Sequence, residues 1–243
     1  MIAKSLRGTV KSIARSAGFD VIRFRPAGSD AAKLAAVMRH ADIDLVLDVG
    51  ANEGQFAQEL LGAGYTGRIV SFEPLAEAHA KLRRAAAGNA RWTVHERCAI
   101  GDEDGEVTIN VAGNSVSSSI RPMLGQHADA APQSRYVGVQ QVPLRRLDAA
   151  AAAYVGDARN LYLKVDTQGY EAAVLRGATL LLARARGVQL EMSLVPLYGG
   201  QELWDHFLDF MRAQGFVPWT LLPGFVDDAT GRTLQIDAVF LRP

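Results

Sequence analysis

The chain has 243 residues, with 26 basic against 26 acidic side chains and no formal net charge, so no global field draws it to a polynucleotide. A single cysteine, Cys98, excludes an internal disulfide and fits a reducing, cytoplasmic setting. No apolar run reaches the roughly 20 residues that span a bilayer, no secretory h-region follows Met1, and the length suits one α/β domain with a terminal extension.

Residues 1–41 are expected as a helical extension ahead of a domain over 42–243. Ile2, Leu6, Val10, Ile13 and Ala17 recur every three or four positions, with Lys4, Arg7, Lys11 and Arg15 on the other side. This is a short basic amphipathic helix, stopped by Gly18. It suits a helix laid over the domain, a contact in a homo-oligomer, or a peripheral contact with anionic lipid at the inner membrane face. Ser29-Asp30 caps a second helix over Ala31–Met38.

Leu45–Val49 is an apolar, β-branched run of the kind that forms a buried parallel strand. Gly50 and Gly54 break it, and Gln55–Leu61 resumes with helical spacing. Such a strand, turn and helix leave backbone N–H groups at the helix start and predict a bound small molecule. A dinucleotide fingerprint would need glycines where Asn52 and Gln55 stand. Arg68–Phe72 makes a second strand ending at Glu73, where a carboxylate can take both ribose hydroxyls of a nucleoside.

Asp48-Val49-Gly50-x-Asn52-x-Gly54 followed by Phe72-Glu73-Pro74 resembles the paired motifs of class I S-adenosylmethionine (SAM) dependent methyltransferases. The whole segment resembles the FkbM family of that class, many of whose members methylate hydroxyls of sugars or polyketides. The resemblance implies an α/β fold with a Rossmann-like, seven-stranded, mostly parallel sheet. It also implies that Asp48, Gly50, Asn52, Gly54 and Glu73 hold the cofactor.

Leu75–Ala87 reads as a helix stopped at Gly88-Asn89, and Trp92–Ile100 as the third strand and its exit. The resemblance sets the loop after this strand beside the adenine, which makes Cys98, Ala99 and Ile100 its neighbours. Gly101–Gly105 is a turn cluster, and Val107–Val111 opens a β-hairpin added ahead of the fourth core strand. A loop follows to about Tyr136; its Asn114–Ser119 stretch, dense in hydroxyls, resembles a segment near the mouth of the family's site. His127, beside Asp129, sits on this loop, where a lone histidine is expected to face solvent. Val139–Leu147 is strand-like, with Asp148 expected to cap the Ala-rich helix behind it.

Lys164-x-Asp166-x-x-Gly169-x-Glu171 at the end of the strand Asn160–Asp166 resembles a second family element at every fixed position. Ligands of doubly wound sheets sit beyond the carboxyl ends of the strands, so Asp166 is expected in the same crevice as Gly50, where a methyl acceptor must lie. Lys164 reads as structural. Glu171, one turn into a helix over Tyr170–Ala183, is explained by the helix dipole. Gly187–Ser193 is the next strand and carries Glu191, placing Asp166 and Glu191 within reach of one Mg²⁺ or Mn²⁺. The same acids could instead bond sugar hydroxyls or the SAM amino group. A helix carrying Leu203–Met211 and two strands, Phe216–Leu222 and Leu234–Leu241, close the sheet. Tyr198 and Phe225 are candidate walls of the acceptor pocket.

Sequence and resemblance together lead to a SAM-dependent O-methyltransferase acting on a sugar hydroxyl of a saccharide or glycolipid, with polyketide or other small-molecule hydroxyls as the alternative. Asp166 is the leading catalytic candidate. It would accept the hydroxyl proton or, with Glu191, hold a cation that lowers the hydroxyl pKa. Competing readings are an NAD-dependent oxidoreductase and a non-catalytic SAM-binding subunit.

Overall fold

The computed structural model describes residues 2–19, 21 and 29–243. Helices α1 (Ile2–Ser16) and α2 (Asp30–His40) come first, followed by β1 (Leu45–Val49), α3 (Gln55–Gly62), β2 (Arg68–Phe72), α4 (Ala76–Ala86) and β3 (Trp92–Val94). Next come β4 (Ala99–Gly101), β5 (Gly105–Ala112), α5 (Gly125–Ala130), β6 (Tyr136–Arg146), α6 (Leu147–Ala150) and β7 (Leu161–Val165). The chain closes with α7 (Glu171–Arg176), α8 (Thr179–Arg184), β8 (Ala185–Ser193), α9 (Trp204–Ala213), β9 (Val217–Pro223), β10 (Val226–Asp227), β11 (Arg232–Thr233) and β12 (Gln235–Leu241).

Seven strands form one sheet in the order β3-β2-β1-β7-β8-β12-β9. β3, β2, β1, β7 and β8 run parallel, and β12 is antiparallel to both of its neighbours. The chain starts at β1 in mid-sheet, winds outward to β3, then returns to β7 on the other flank. This reversal opens a crevice beyond the carboxyl ends of β1 and β7. The seven-stranded α/β fold expected from the resemblance is therefore present.

Alternation along each strand divides the core. Leu45, Leu47, Leu163, Val165, Val188 and Leu190 pack on one face, while Val46, Ile69, Tyr162 and Val239 face α2 and α3. Each fully buried side chain of this size contributes roughly 1.5–3 kcal/mol. Leu34, Val37 and Met38 of α2 belong to this second cluster, so residues 30–41 share a core with β1. By contrast, the described side chains of α1 stay largely exposed, Val10 and Ile13 among them.

Three expectations change. The single strand expected over 92–100 divides, because β3 ends at Val94 and β4 leaves the main sheet to pair with β6. β5 and β6 form the added hairpin, with residues 113–135 as its long excursion. The helix expected over Tyr170–Ala183 is two helices, broken at Gly177, where an added Cβ would lie 1.8 Å from the Gly101 carbonyl oxygen. Asp148 caps the start of α8 instead of the helix behind it. Its carboxylate accepts from the N–H groups of Leu180 and Leu181, both at 3.0 Å. Replacing a capping carboxylate by alanine costs about 1 kcal/mol. Asp148→Ala should therefore lower the unfolding free energy by about that amount, seen as a lower urea midpoint at an unchanged m-value; an unaltered midpoint would remove the cap from the account.

Candidate active site

A cavity of about 440 Å³ opens at the carboxyl edge of the sheet. Gly50, Asn52, Glu73, Cys98, Ala99 and Ile100 line one end, Asp166 and Lys164 the middle, and Gln189, Leu222 and Asp237 the other. Beneath it, Ser71, Asp48, Lys164 and Gln189 stand at the same level of four adjacent strands. Trp92 Nε1 donates to Ser71 Oγ at 3.0 Å, and Ser71 donates to Asp48 Oδ2 at 3.1 Å. The Lys164 ammonium lies 3.2 Å from the Gly50 carbonyl oxygen, 3.3 Å from Asp48 Oδ1 and 3.4 Å from Asp166 Oδ2. Burial alone would lower the Lys164 pKa, but the pull of Asp166, Asp48 and Asp237 overrides it and holds the amine well above its usual range. Burial raises the Asp48 carboxyl, and Lys164 works against that rise.

The glycine turn is shaped by contact with the protein itself. Gly50 has φ 78°, and a Cβ there would lie 1.7 Å from the Asp166 carbonyl oxygen; Gly54 has φ 92° and is packed against the Trp92 ring. Gly50 lines the cavity, whereas Gly54 and Asp48 lie behind it. Phe72 O accepts from both Gly50 N and Ala51 N at 3.1 Å, and Asn52 Oδ1 accepts from Glu53 N. Most of the turn's N–H groups are thus already used. Glu73 joins the two halves, with Oε2 accepting from Asn52 N and Oε1 from Leu75 N, each at 2.8 Å. A carboxylate offers about four acceptor positions, so two remain for the hydroxyls of a ribose. Burial pushes Glu73 up to about 7. Cys98 is also buried and its thiol pushed up to about 11, which makes it a neutral wall of the cavity.

Around Asp166 the arrangement centres on Gln168, a residue with φ 55° whose backbone oxygen accepts from Ser119 Oγ at 2.6 Å. Its amide nitrogen lies 2.9 Å from Asp166 Oδ1 and 2.6 Å from Glu191 Oε2, and its amide oxygen 2.7 Å from the Tyr198 hydroxyl. Gln235 supplies a second amide to Glu191 Oε2 at 2.7 Å. Glu171 Oε1 accepts from Thr167 N, Thr167 Oγ1 and Gly169 N, so it organises the loop behind Asp166.

The Methyltransferase FkbM domain matches residues 48–218, more than half of the chain. The chain belongs to the FkbM methyltransferase family. A 2-O-methyltransferase NoeI of Sinorhizobium fredii (strain NBRC 101917 / NGR234) is 28% identical over 174 residues, 69% of this chain and 70% of that protein. Solved structures similar to this chain include the magnesium protoporphyrin IX methyltransferase ChlM of Synechocystis PCC 6803 with bound SAM, at TM-score 0.47 and 12% identity, covering 88% of this chain and 78% of that one. An rRNA methylase of Streptococcus thermophilus matches at TM-score 0.46 and 14% identity, covering 91% and 99%. The protein is thus a SAM-dependent methyltransferase of the FkbM family, which leaves the oxidoreductase alternative without support.

The expectation that Asp166 and Glu191 share Mg²⁺ or Mn²⁺ does not fit this FkbM chain. The Gln168 amide bridges the two carboxyls where a shared cation would bind, and Lys164 already neutralises Asp166. Burial, with Asp166, Asp237 and Glu171 nearby, raises the Glu191 pKa well above its usual value. Among the described residues no group of three or more His, Cys, Asp or Glu side chains could hold a metal ion.

Two further expectations are corrected. His127 is buried, not solvent-facing; it packs at 5.1 Å on Tyr198 and 5.2 Å on Phe225, and burial pushes it down to about 4. Tyr198 and Phe225 belong to this satellite core and do not line the cavity, because the excursion 113–135 crosses over to them through Leu124 N and Leu197 O. The Ser-rich stretch does line it, through Ser115, Val116, Ser118 and Ser119, and Asn52 Nδ2 donates to Ser115 Oγ at 3.2 Å.

Gln168, Gln189 and Asp237 were not singled out from sequence, and Lys164 only as a structural residue. Only Lys164 carried a strong signal, since a charge inside Leu-Tyr-Leu-Lys-Val requires buried partners. The raised acids have a consequence for stability. Glu73 and Glu171, both pushed up to about 7 by burial, keep protons in the folded chain that the unfolded chain releases from about 4.5 upward. Stability therefore falls as pH climbs through 7, while His127 works in the opposite sense only below about 6.5. Thermal melts without cofactor should give a lower midpoint at pH 8 than at pH 6.5; a higher midpoint at pH 8 would contradict the assignment.

Proposed function

We propose that this methyltransferase transfers the SAM methyl group to a hydroxyl oxygen, and that the acceptor is a sugar in a saccharide or glycolipid. The observation that carries the reading is the single cavity wall shared by Glu73, Gly50 and Asp166. An adenosyl group seated on Glu73 directs its sulfonium along the glycine turn toward Asp166. SAM brings its own activation, so the chain has only to bind it, align an oxygen behind the methyl carbon and remove one proton. The supports for a hydroxyl of a polyol are the similarity to a protein named as a 2-O-methyltransferase and a cavity lined by Ser115, Ser118, Ser119, Gln189 and several carboxyls. In this reading Asp48, Asn52 and Gly54 shape the cofactor turn, and Cys98 and Ala99 lie against the adenine. Asp166, fixed by Lys164 and Gln168, orients the reacting groups, while Glu191 anchors the amides of Gln168 and Gln235.

Two assays test the proposal. Radiolabel from SAM should reach at least one member of a panel of mono- and oligosaccharides, at equal rates with and without EDTA. Glu73→Ala should weaken binding of the product S-adenosylhomocysteine by roughly two orders of magnitude, the loss of two charge-assisted hydrogen bonds at about 1.5 kcal/mol each. Calorimetry showing unchanged affinity would sink the cofactor placement, and a panel without a single labelled sugar would sink the acceptor class.

We also propose that residues 1–17 make a peripheral contact with anionic membrane. Support comes from α1, whose Val10 and Ile13 are exposed on a helix that also carries Lys11 and Arg15. Among the described residues no helix is long and apolar enough to cross a membrane. Co-sedimentation with vesicles rich in phosphatidylglycerol should fall on deletion of residues 2–16, and equal sedimentation of both chains would refute the contact.

A further inference from the structure

The sheet edge that forms the cavity floor runs further than the cofactor needs. From β2, which Glu73 follows, to β12 there are four strand steps, roughly 19 Å at normal strand spacing. An adenosyl group anchored at Glu73 covers the first part, and the stretch over β7, β8 and β12 is left for the acceptor. The side chains that face the cavity there are Lys164, Asp166, Gln189 and Asp237.

These two aspartates are differently placed. Asp166 has both oxygens engaged, Oδ1 by the Gln168 amide and Oδ2 by the Lys164 ammonium. A proton arriving on it would cancel the charge that balances a buried amine. Asp237 sits directly opposite Glu191 in the β12–β8 register, and its Oδ1 accepts from Gln189 Nε2 at 3.2 Å. Gln189 is fixed in turn by Tyr162, whose hydroxyl donates to Gln189 Oε1 at 3.2 Å. No described ion pair includes Asp237, and no described donor reaches Oδ2. It is a carboxylate aimed by an amide, half-buried, with one oxygen left for a ligand.

We propose that Asp237 is the general base of the reaction: its Oδ2 takes the proton of the acceptor hydroxyl, while Gln189 and Tyr162 hold the carboxylate in place. This deepens the O-methyltransferase reading and rests on it. As the acceptor O–C bond forms, the S–CH₃ bond of SAM breaks and its electron pair stays on sulfur. The hydroxyl proton passes to Asp237 and then to water, leaving the methyl ether and S-adenosylhomocysteine. Burial, together with Asp166, pushes Asp237 up to about 6, which makes it a stronger base than an ordinary carboxylate yet leaves it ionised at neutral pH. The charged and titratable groups around it are Lys164 and Asp166 from the β7 end, Glu191 on β8, Tyr162 on β7 and Asp30 at the start of α2.

The test compares the full-length wild type with Asp237→Asn and Asp237→Glu. Binding of S-adenosylhomocysteine is followed by calorimetry, and methyl transfer from radiolabelled SAM is measured to the saccharide panel and to molar glycerol as a minimal polyol. Asp237→Asn should bind S-adenosylhomocysteine within about threefold of wild type while kcat falls about 100-fold or more, in the range for a lost general base. It should also lose the acid limb of the kcat/KM profile near pH 6. Asp237→Glu, which restores a carboxylate, should recover at least about tenfold of that loss. Asn turnover within about threefold of wild type overturns the proposal. So does an equal loss of S-adenosylhomocysteine binding and turnover in both variants, which would place Asp237 in the fold and not in the reaction. A wild type that binds S-adenosylhomocysteine yet methylates no hydroxyl removes the parent reading, and the proposal with it.

Discussion

A single buried ammonium holds the site together. Lys164 is almost entirely enclosed within the sheet, and its Nζ reaches oxygens from three places in the chain: Asp48 on β1, the Gly50 carbonyl at the start of the turn, and Asp166 after β7. Withdrawing such a charge from water costs several kcal/mol unless it is paired and hydrogen-bonded, and here the pairing supplies the geometry as well. The turn that follows β1 and the loop that follows β7 are tied to one nitrogen. Gly50 has no Cβ because the Asp166 backbone lies against it, so the same contact that admits the lysine requires the glycine. The turn at Gly50 and the loop at Asp166 are therefore parts of one edge of the cavity.

Besides Asp48, five carboxyls surround this edge, and their partners separate their roles. Glu73 accepts from two backbone amides and retains acceptor positions for a ligand. Glu171 is spent on the loop 167–169, and Glu191 on the amides of Gln168 and Gln235. Asp166 is balanced by lysine, while Asp237 has one amide and an oxygen to spare. Acids this close cannot all ionise together, so burial raises Glu73, Glu171, Glu191 and Asp237 while one cation serves the cluster.

Much of the cofactor end was legible in the sequence because its determinants are local. A strand, two glycines and a helix within 45–61, then an acid 19 residues after Gly54, describe the turn and its anchor without reference to the rest of the chain. The helix break at Gly177 and the departure of β4 were not legible, since the first depends on the backbone of Gly101 meeting Gly177 and the second on β4 pairing with β6, both across the fold. His127 reads as an exposed loop residue until the excursion 113–135 is seen to close over Tyr198 and Phe225.

By itself the sequence determined the strands' hydrophobic faces, the glycine turn and the acid that follows β2, and the resemblance of these motifs to FkbM methyltransferases implied the class of cofactor. Only the tertiary structure decided which partner each acid of the cavity meets. Gln168, Gln189 and Gln235 have no distinguishing pattern along the chain, yet each chooses which carboxyl is pinned and which stays available. Strand periodicity fixes which way a side chain points; the partner it meets is set by sheet register, which pairs β12 with β8 although more than forty residues separate them.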